Sequence, residues 1–108
     1  MPIRATLKMM LAATAAAVAC PVHAQEGNVG RGTQIAQTIC AACHVVARRG
    51  QSAAPNSQAP PFPAIASTPG MTSIALSAAL MTSHRLMPNI ILEPEERRDV
   101  IAYILSLK

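Results

Sequence analysis

The sequence predicts an all-α protein. Apolar residues recur at helical spacing in three separate segments, and no segment alternates with the period of two that a half-buried strand shows. Proline-rich stretches separate those segments, and no internal repeat is present.

The chain has 108 residues, enough for one domain. Residues 1–24 read as a secretory signal peptide, leaving 25–108 as the folded domain. Arg4 and Lys8 supply its positive end, Met9 to Cys20 an apolar alanine-rich stretch, and Val22-His23-Ala24 a small-residue cleavage site. The apolar stretch is far shorter than the roughly 20 residues that span a bilayer. It therefore reads as removed, not as an anchor, and the expected location is the periplasm. As an alternative, Ala17-Val18-Ala19-Cys20 faintly resembles a lipoprotein cleavage site, which would leave Cys20 lipidated. Alanine stands where leucine is usual in that motif, and Pro21 follows.

The first helix is expected over roughly 28–40, where Val29, Gly32, Ile35, Ala36 and Ile39 share a face and Asn28 can cap the start. It should run straight into Cys40. Residues 48–70 read as loop, with Pro55, Pro60, Pro61, Pro63 and Pro69 plus Gly50 and Gly70. So long a loop is unusual in a small domain unless it wraps something. The run Ala59 to Ala66 is also too apolar for a solvated linker. A second helix is expected from Thr72 to about Met81, with Ile74, Leu76, Leu80 and Met81 as its apolar body. Met87-Pro88-Asn89 interrupts helical structure, because proline lacks a donor and restricts the residue before it. The last helix starts at Glu93-Pro94-Glu95-Glu96, where proline and acids suit the first turn. Val100, Ile101, Ile104 and Leu105 form its buried face. Glu93 and Arg97 are spaced to pair along it.

Composition narrows the function. Without Arg4 and Lys8 the domain keeps seven basic and five acidic residues, a formal charge of +2. Arg48-Arg49 and Arg97-Arg98 are its only basic runs, and Phe62 and Tyr103 its only Phe, Tyr or Trp. Nucleic-acid binding is therefore not expected. So few aromatic residues leave a marginal core for a chain this small, and a large apolar cofactor would supply the missing volume.

Cys20 lies in the signal peptide, so Cys40 and Cys43 are the cysteines of the domain. A zinc site needs four ligands, and neither a second cysteine pair nor a suitably spaced histidine pair exists. A thioredoxin-like dithiol expects a βαβ setting, and no strands are predicted. Cys40-Ala41-Ala42-Cys43-His44 matches the C-x-x-C-H attachment signature of c-type haem. Two residues between the cysteines set both thiols along one ring edge for thioether bonds to the vinyl groups. The adjacent His44 then reaches the iron from one face. One covalently bound haem c, with its iron, is the expected cofactor.

The sixth iron ligand must come from downstream. Met71, Met81, Met87 and His84 are the candidates. Met81 stands on the apolar helix, a common filler position, and Met71 stands early, at a helix start. Met87 precedes Pro88 on an extended connection that can aim a side chain, and is preferred. A thioether opposite histidine favours reduced iron and raises the potential.

These residues resemble the class I cytochrome c family over nearly the whole of 25–108. Gly32 to His44 resembles the family's N-terminal helix and haem motif, Met87-Pro88-Asn89 its ligand loop, and Arg98 to Ile104 its C-terminal helix. The resemblance implies the cytochrome c fold: three to four short helices wrapped around one covalently attached haem. It also implies that Gly32 lets the terminal helices cross closely, with Tyr103 packed at the crossing. A proline carbonyl should accept from the ligand histidine, and Pro55, Pro60 and Pro61 all compete for that role. Ala36 stands where the family often has an aromatic residue, and Trp is absent.

The expected function is that of a periplasmic carrier of single electrons between transient redox partners, a monomer or a small subunit of a complex, with no catalytic residues. Alternatives are the haem subunit of a dehydrogenase or oxidase, and a haem enzyme or gas-binding protein with an open iron position flanked by His84 and Arg85. A module without haem, holding a Cys40–Cys43 disulfide, is a further alternative.

Overall fold

The computed structural model of the chain describes residues 26–49, 58–84 and 86–108. The expected signal peptide, Pro55 and Arg85 lie outside them. Four α-helices and one 3-10 turn form among the described residues: α1 (Val29–Thr38), the turn Cys40–Ala42, α2 (Phe62–Ala66), α3 (Ser73–Met81) and α4 (Pro94–Leu105). An isolated bridge between His84 and Met87 is the nearest approach to β-structure there.

Asn28 caps α1 as expected, its side chain accepting from the Arg31 N–H at 2.9 Å. The helix does not run straight into the cysteines. It stops at Thr38, and Cys40–Ala42 form a separate, tighter turn. The N–H groups of Cys43 and His44 both donate to the Cys40 carbonyl, at 3.1 and 2.9 Å.

The expected loop over 48–70 contains a helix, α2. Pro63 stands in its first turn, where the missing N–H would have no intrahelical partner. Phe62 and Ala66, one turn apart, are buried. Thr72 caps α3, accepting from Ala75 N–H at 3.2 Å. The apolar body of α3 is one-sided. Leu76 is buried and Leu80 packs against the core, whereas Ile74 is 81% and Met81 62% exposed. At 100° per residue, 76 and 80 share one face, and 74 and 81 share another. Met81 is therefore not the core filler its sequence setting suggests.

At the start of α4 Glu93 and Glu96 form a capping box, in which the Glu96 side chain accepts from the Glu93 N–H at 2.9 Å. Glu93 is the cap and its side chain takes part in the capping box, and the expected Glu93–Arg97 ion pair is not among those formed by the described residues. Glu95 instead lies 3.9 Å from both Arg98 and Arg31.

Helix α4 is the hub. It packs most extensively on α1, then on α3 and α2. Val100, Ile101, Tyr103 and Ile104 are buried; Leu105 is half-buried against the same core. At the crossing, a Cβ on Gly32 would overlap the Asp99 carbonyl and lie 2.9 Å from the Tyr103 Cβ. Gly27 is pressed in the same way against the Arg98 carbonyl.

Asp99 is 5% exposed and latches the chain segment before α1. Its Oδ1 accepts from the Asn28 N–H at 2.6 Å, and its Oδ2 lies 3.2 Å from Arg31 Nε. Arg31 is over half exposed, so it stays solvated when its partner is lost. Asp99→Ala is therefore expected to cost about 1–2 kcal/mol, mostly from the part-buried hydrogen bond to the Asn28 amide, and less than breaking a fully buried pair. Chemical denaturation of the two proteins measures it.

Candidate functional site

The Cys40–Ala42 turn presents two thiols from one short arc. Both cysteines are half-buried, and they are not bridged to each other. The structure thus gives no support to a disulfide module. Burial pushes the Cys40 thiol up, opposite to the depression that a reactive, thioredoxin-like cysteine needs. Cys40 packs against the core, as do the half-buried Ala41, Met71 and Leu80.

His44 follows at once, and its ring is fixed from behind. Its Nδ1 lies 2.7 Å from the Pro60 carbonyl oxygen. A carbonyl only accepts, so Nδ1 carries the proton and the lone pair sits on Nε2. Of the three prolines, Pro60 holds this position; Pro61 caps α2. The Phe62 ring lies tilted at 5.2 Å from the imidazole, and Tyr103 stands 6.4 Å behind Phe62. The Tyr103 hydroxyl donates to the Val46 carbonyl at 2.6 Å. Burial pushes the Tyr103 phenol up. The place of Phe62 was readable only from its position as the single Phe in an apolar run after Pro61.

Met87 comes from the α3–α4 connection. It is half-buried, and its N–H donates to the His84 carbonyl at 3.1 Å, so a tight turn, not an extended loop, carries it. His84 is exposed, with Nδ1 3.1 Å from the Thr82 carbonyl. Met71 is half-buried, and its carbonyl accepts from Lys108 Nζ at 3.1 Å. No group of three His, Cys, Asp or Glu gathers among the described residues. A polar cleft lined by Arg31, Glu95 and Asp99, at the α1–α4 ends, includes none of the motif residues.

A model of the family described as cytochrome c matches residues 29–108. The chain belongs to the cytochrome c family. A curated relative, cytochrome c-552 of Bradyrhizobium diazoefficiens, is 38% identical over 81 residues, covering 75% of this chain and 76% of that protein. No solved structure matches. Membership makes the chain a monohaem electron carrier with a covalently bound haem c, on the all-α cytochrome c fold. The donor set fits that group: two unbridged thiols one turn apart, and an adjacent imidazole with its proton committed away from Nε2. When bound, the haem supplies an iron that cycles between Fe(II) and Fe(III). The cytochrome's own residues hold it, orient it and limit water around it.

Proposed function

We propose that this cytochrome c is exported, with residues 1–24 removed, and carries electrons in the periplasm between transient protein partners. Cys40 and Cys43 hold the haem, and His44 and Met87 ligate the iron from opposite faces. The observation that carries this reading is the 2.7 Å contact between His44 Nδ1 and the Pro60 carbonyl. It commits the ring to the tautomer a metal ligand needs and raises its basicity. Met87 supports the second axial position: it is half-buried, on a turn closed by backbone hydrogen bonding and followed by Pro88. No helix among the described residues is long and apolar enough to cross a membrane.

The test is the optical spectrum of protein purified from the periplasm, oxidised and then reduced. Haem that survives denaturation on the chain, a weak far-red methionine–iron band in the oxidised form, and no uptake of carbon monoxide on reduction are expected. Ready uptake of carbon monoxide would mean an open iron and would move the gas-binding or enzymatic alternative ahead. The mass of the mature chain locates cleavage: a chain starting at Gln25 fits the soluble form, an acylated Cys20 a tethered one.

A further inference from the structure

We propose that Tyr103 is a positioning residue for His44, acting through the hydrogen bond from its hydroxyl to the Val46 carbonyl. The inference rests on His44 being the iron ligand.

Besides the His44 N–H bond to the Cys40 carbonyl, three hydrogen bonds tie residues 44–46 to parts of the fold further along the chain. His44 Nδ1–H donates to the Pro60 carbonyl at 2.7 Å, and Phe62 N–H donates to the Val45 carbonyl at 2.9 Å. Both partners belong to residues 60–62, so these two bonds fix the ligand segment only against that short stretch. The third bond, Tyr103 O–H to Val46 at 2.6 Å, ties the pair of stretches to α4. The Val46 side chain is 2% exposed and packs in the core, so its carbonyl is held close to α4.

The two ends of Tyr103 do different things. Its Cβ lies at the α1–α4 crossing, against Gly32. Its ring backs Phe62, whose ring in turn backs the imidazole. The only Phe and the only Tyr of the chain thus stand in one row behind His44. The most extensive helix pairing of the fold is thereby linked to the orientation of the ligand ring. Without the hydroxyl, residues 44–46 can pivot about the 60–62 stretch. The bond to Pro60 then lengthens and the imidazole becomes a weaker electron donor. Oxidised iron is less favoured, and the potential rises.

The experiment uses the full chain with haem attached. In Tyr103→Phe, covalent haem and helix content should be retained. The reduction potential should shift upward, and the His44 Nδ1–H should exchange with solvent faster than the change in global stability accounts for. Ser106→Ala is the control, because its hydroxyl donates to the Tyr103 carbonyl at 2.6 Å and has no bond to the ligand segment. Its potential should match the wild type. Tyr103 is the chain's only tyrosine, so biosynthetic 3-fluorotyrosine alters this side chain alone, lowering the pKa of its hydroxyl with one added ring atom. It makes a stronger donor and should move the potential downward, in a protein that needs no mutation to fold. A Tyr103→Phe protein that loses stability with unchanged potential and exchange would overturn the proposal, as would a fluorinated protein whose potential does not move. A wild type without covalent haem, or without a histidine ligand by magnetic resonance, would instead overturn the ligation reading.

Discussion

Gly32→Ala is expected to destabilise the holo protein by about 3 kcal/mol or more, although alanine is the better helix former. Two effects oppose each other. Replacing glycine within α1 should stabilise the helix by about 1 kcal/mol. The added methyl, however, would occupy the space of the Asp99 carbonyl and press on the Tyr103 Cβ. Backbone cannot rotate away as a side chain end can, so α1 and α4 must separate. That separation loosens Asn28 from Asp99 and pulls Tyr103 from Phe62 and Val46. Overpacking commonly costs about 1–3 kcal/mol, and more where backbone must move. Against a typical total of about 5–15 kcal/mol, the loss is large. Gly30 provides the comparison within the same helix. A Cβ there meets nothing closer than Asn28 Oδ1 at 3.3 Å. Gly30→Ala should therefore fall within about 1 kcal/mol of wild type. Denaturant midpoints of the three proteins measure the contrast. Equal midpoints for Gly32→Ala and Gly30→Ala would show that the crossing tolerates separation.

What the sequence made legible was local. Asn28 three residues before Arg31, Thr72 three before Ala75, and proline behind Glu93 are read within one turn of chain, and the starts of α1, α3 and α4 were found. The haem motif is five consecutive residues and needs no tertiary information. The misread features depend on distant partners. Asp99 carried no expectation of its own, because its partner amide, Asn28, is 71 residues away in sequence. Counting prolines hid α2, because Pro63 breaks a helix interior but suits a first turn, and position alone separates the two cases. In α3 every side chain is apolar or small, so periodicity cannot choose which face meets α4. The choice among prolines behind His44 was likewise a question of reach: Pro60 and Pro61 are neighbours, and only the fold selects the first.

Met87→Ala is the prediction with the largest functional effect. On the proposed ligation it removes the thioether and leaves Cys40, Cys43 and His44 in place. These residues sit on the other side of the chain's connectivity, on the turn after α1, so haem attachment should survive. The far-red band of the oxidised protein should vanish. The reduction potential should fall by roughly 0.1–0.3 V, a fraction of the ≈ 0.8 V over which axial ligands set haem potentials. The sign follows from the ligand. A neutral soft sulfur favours Fe(II), and water or hydroxide in its place favours Fe(III). The opened position should also let reduced protein take up carbon monoxide. Met81→Ala and Met71→Ala separate the candidates. Met81 is 62% exposed on the outer face of α3, so its loss should leave band and potential alone. Met71 packs half-buried against the core, so its loss should lower stability and leave the band. If the band instead persists in Met87→Ala and disappears in Met71→Ala, the assignment moves to the start of α3. If it persists in all three, a methionine outside the described segments must be sought; a wild type that lacks the band would instead point to His84. Each outcome is read from one spectrum per variant, because covalent attachment keeps the haem on the chain whichever sulfur is lost.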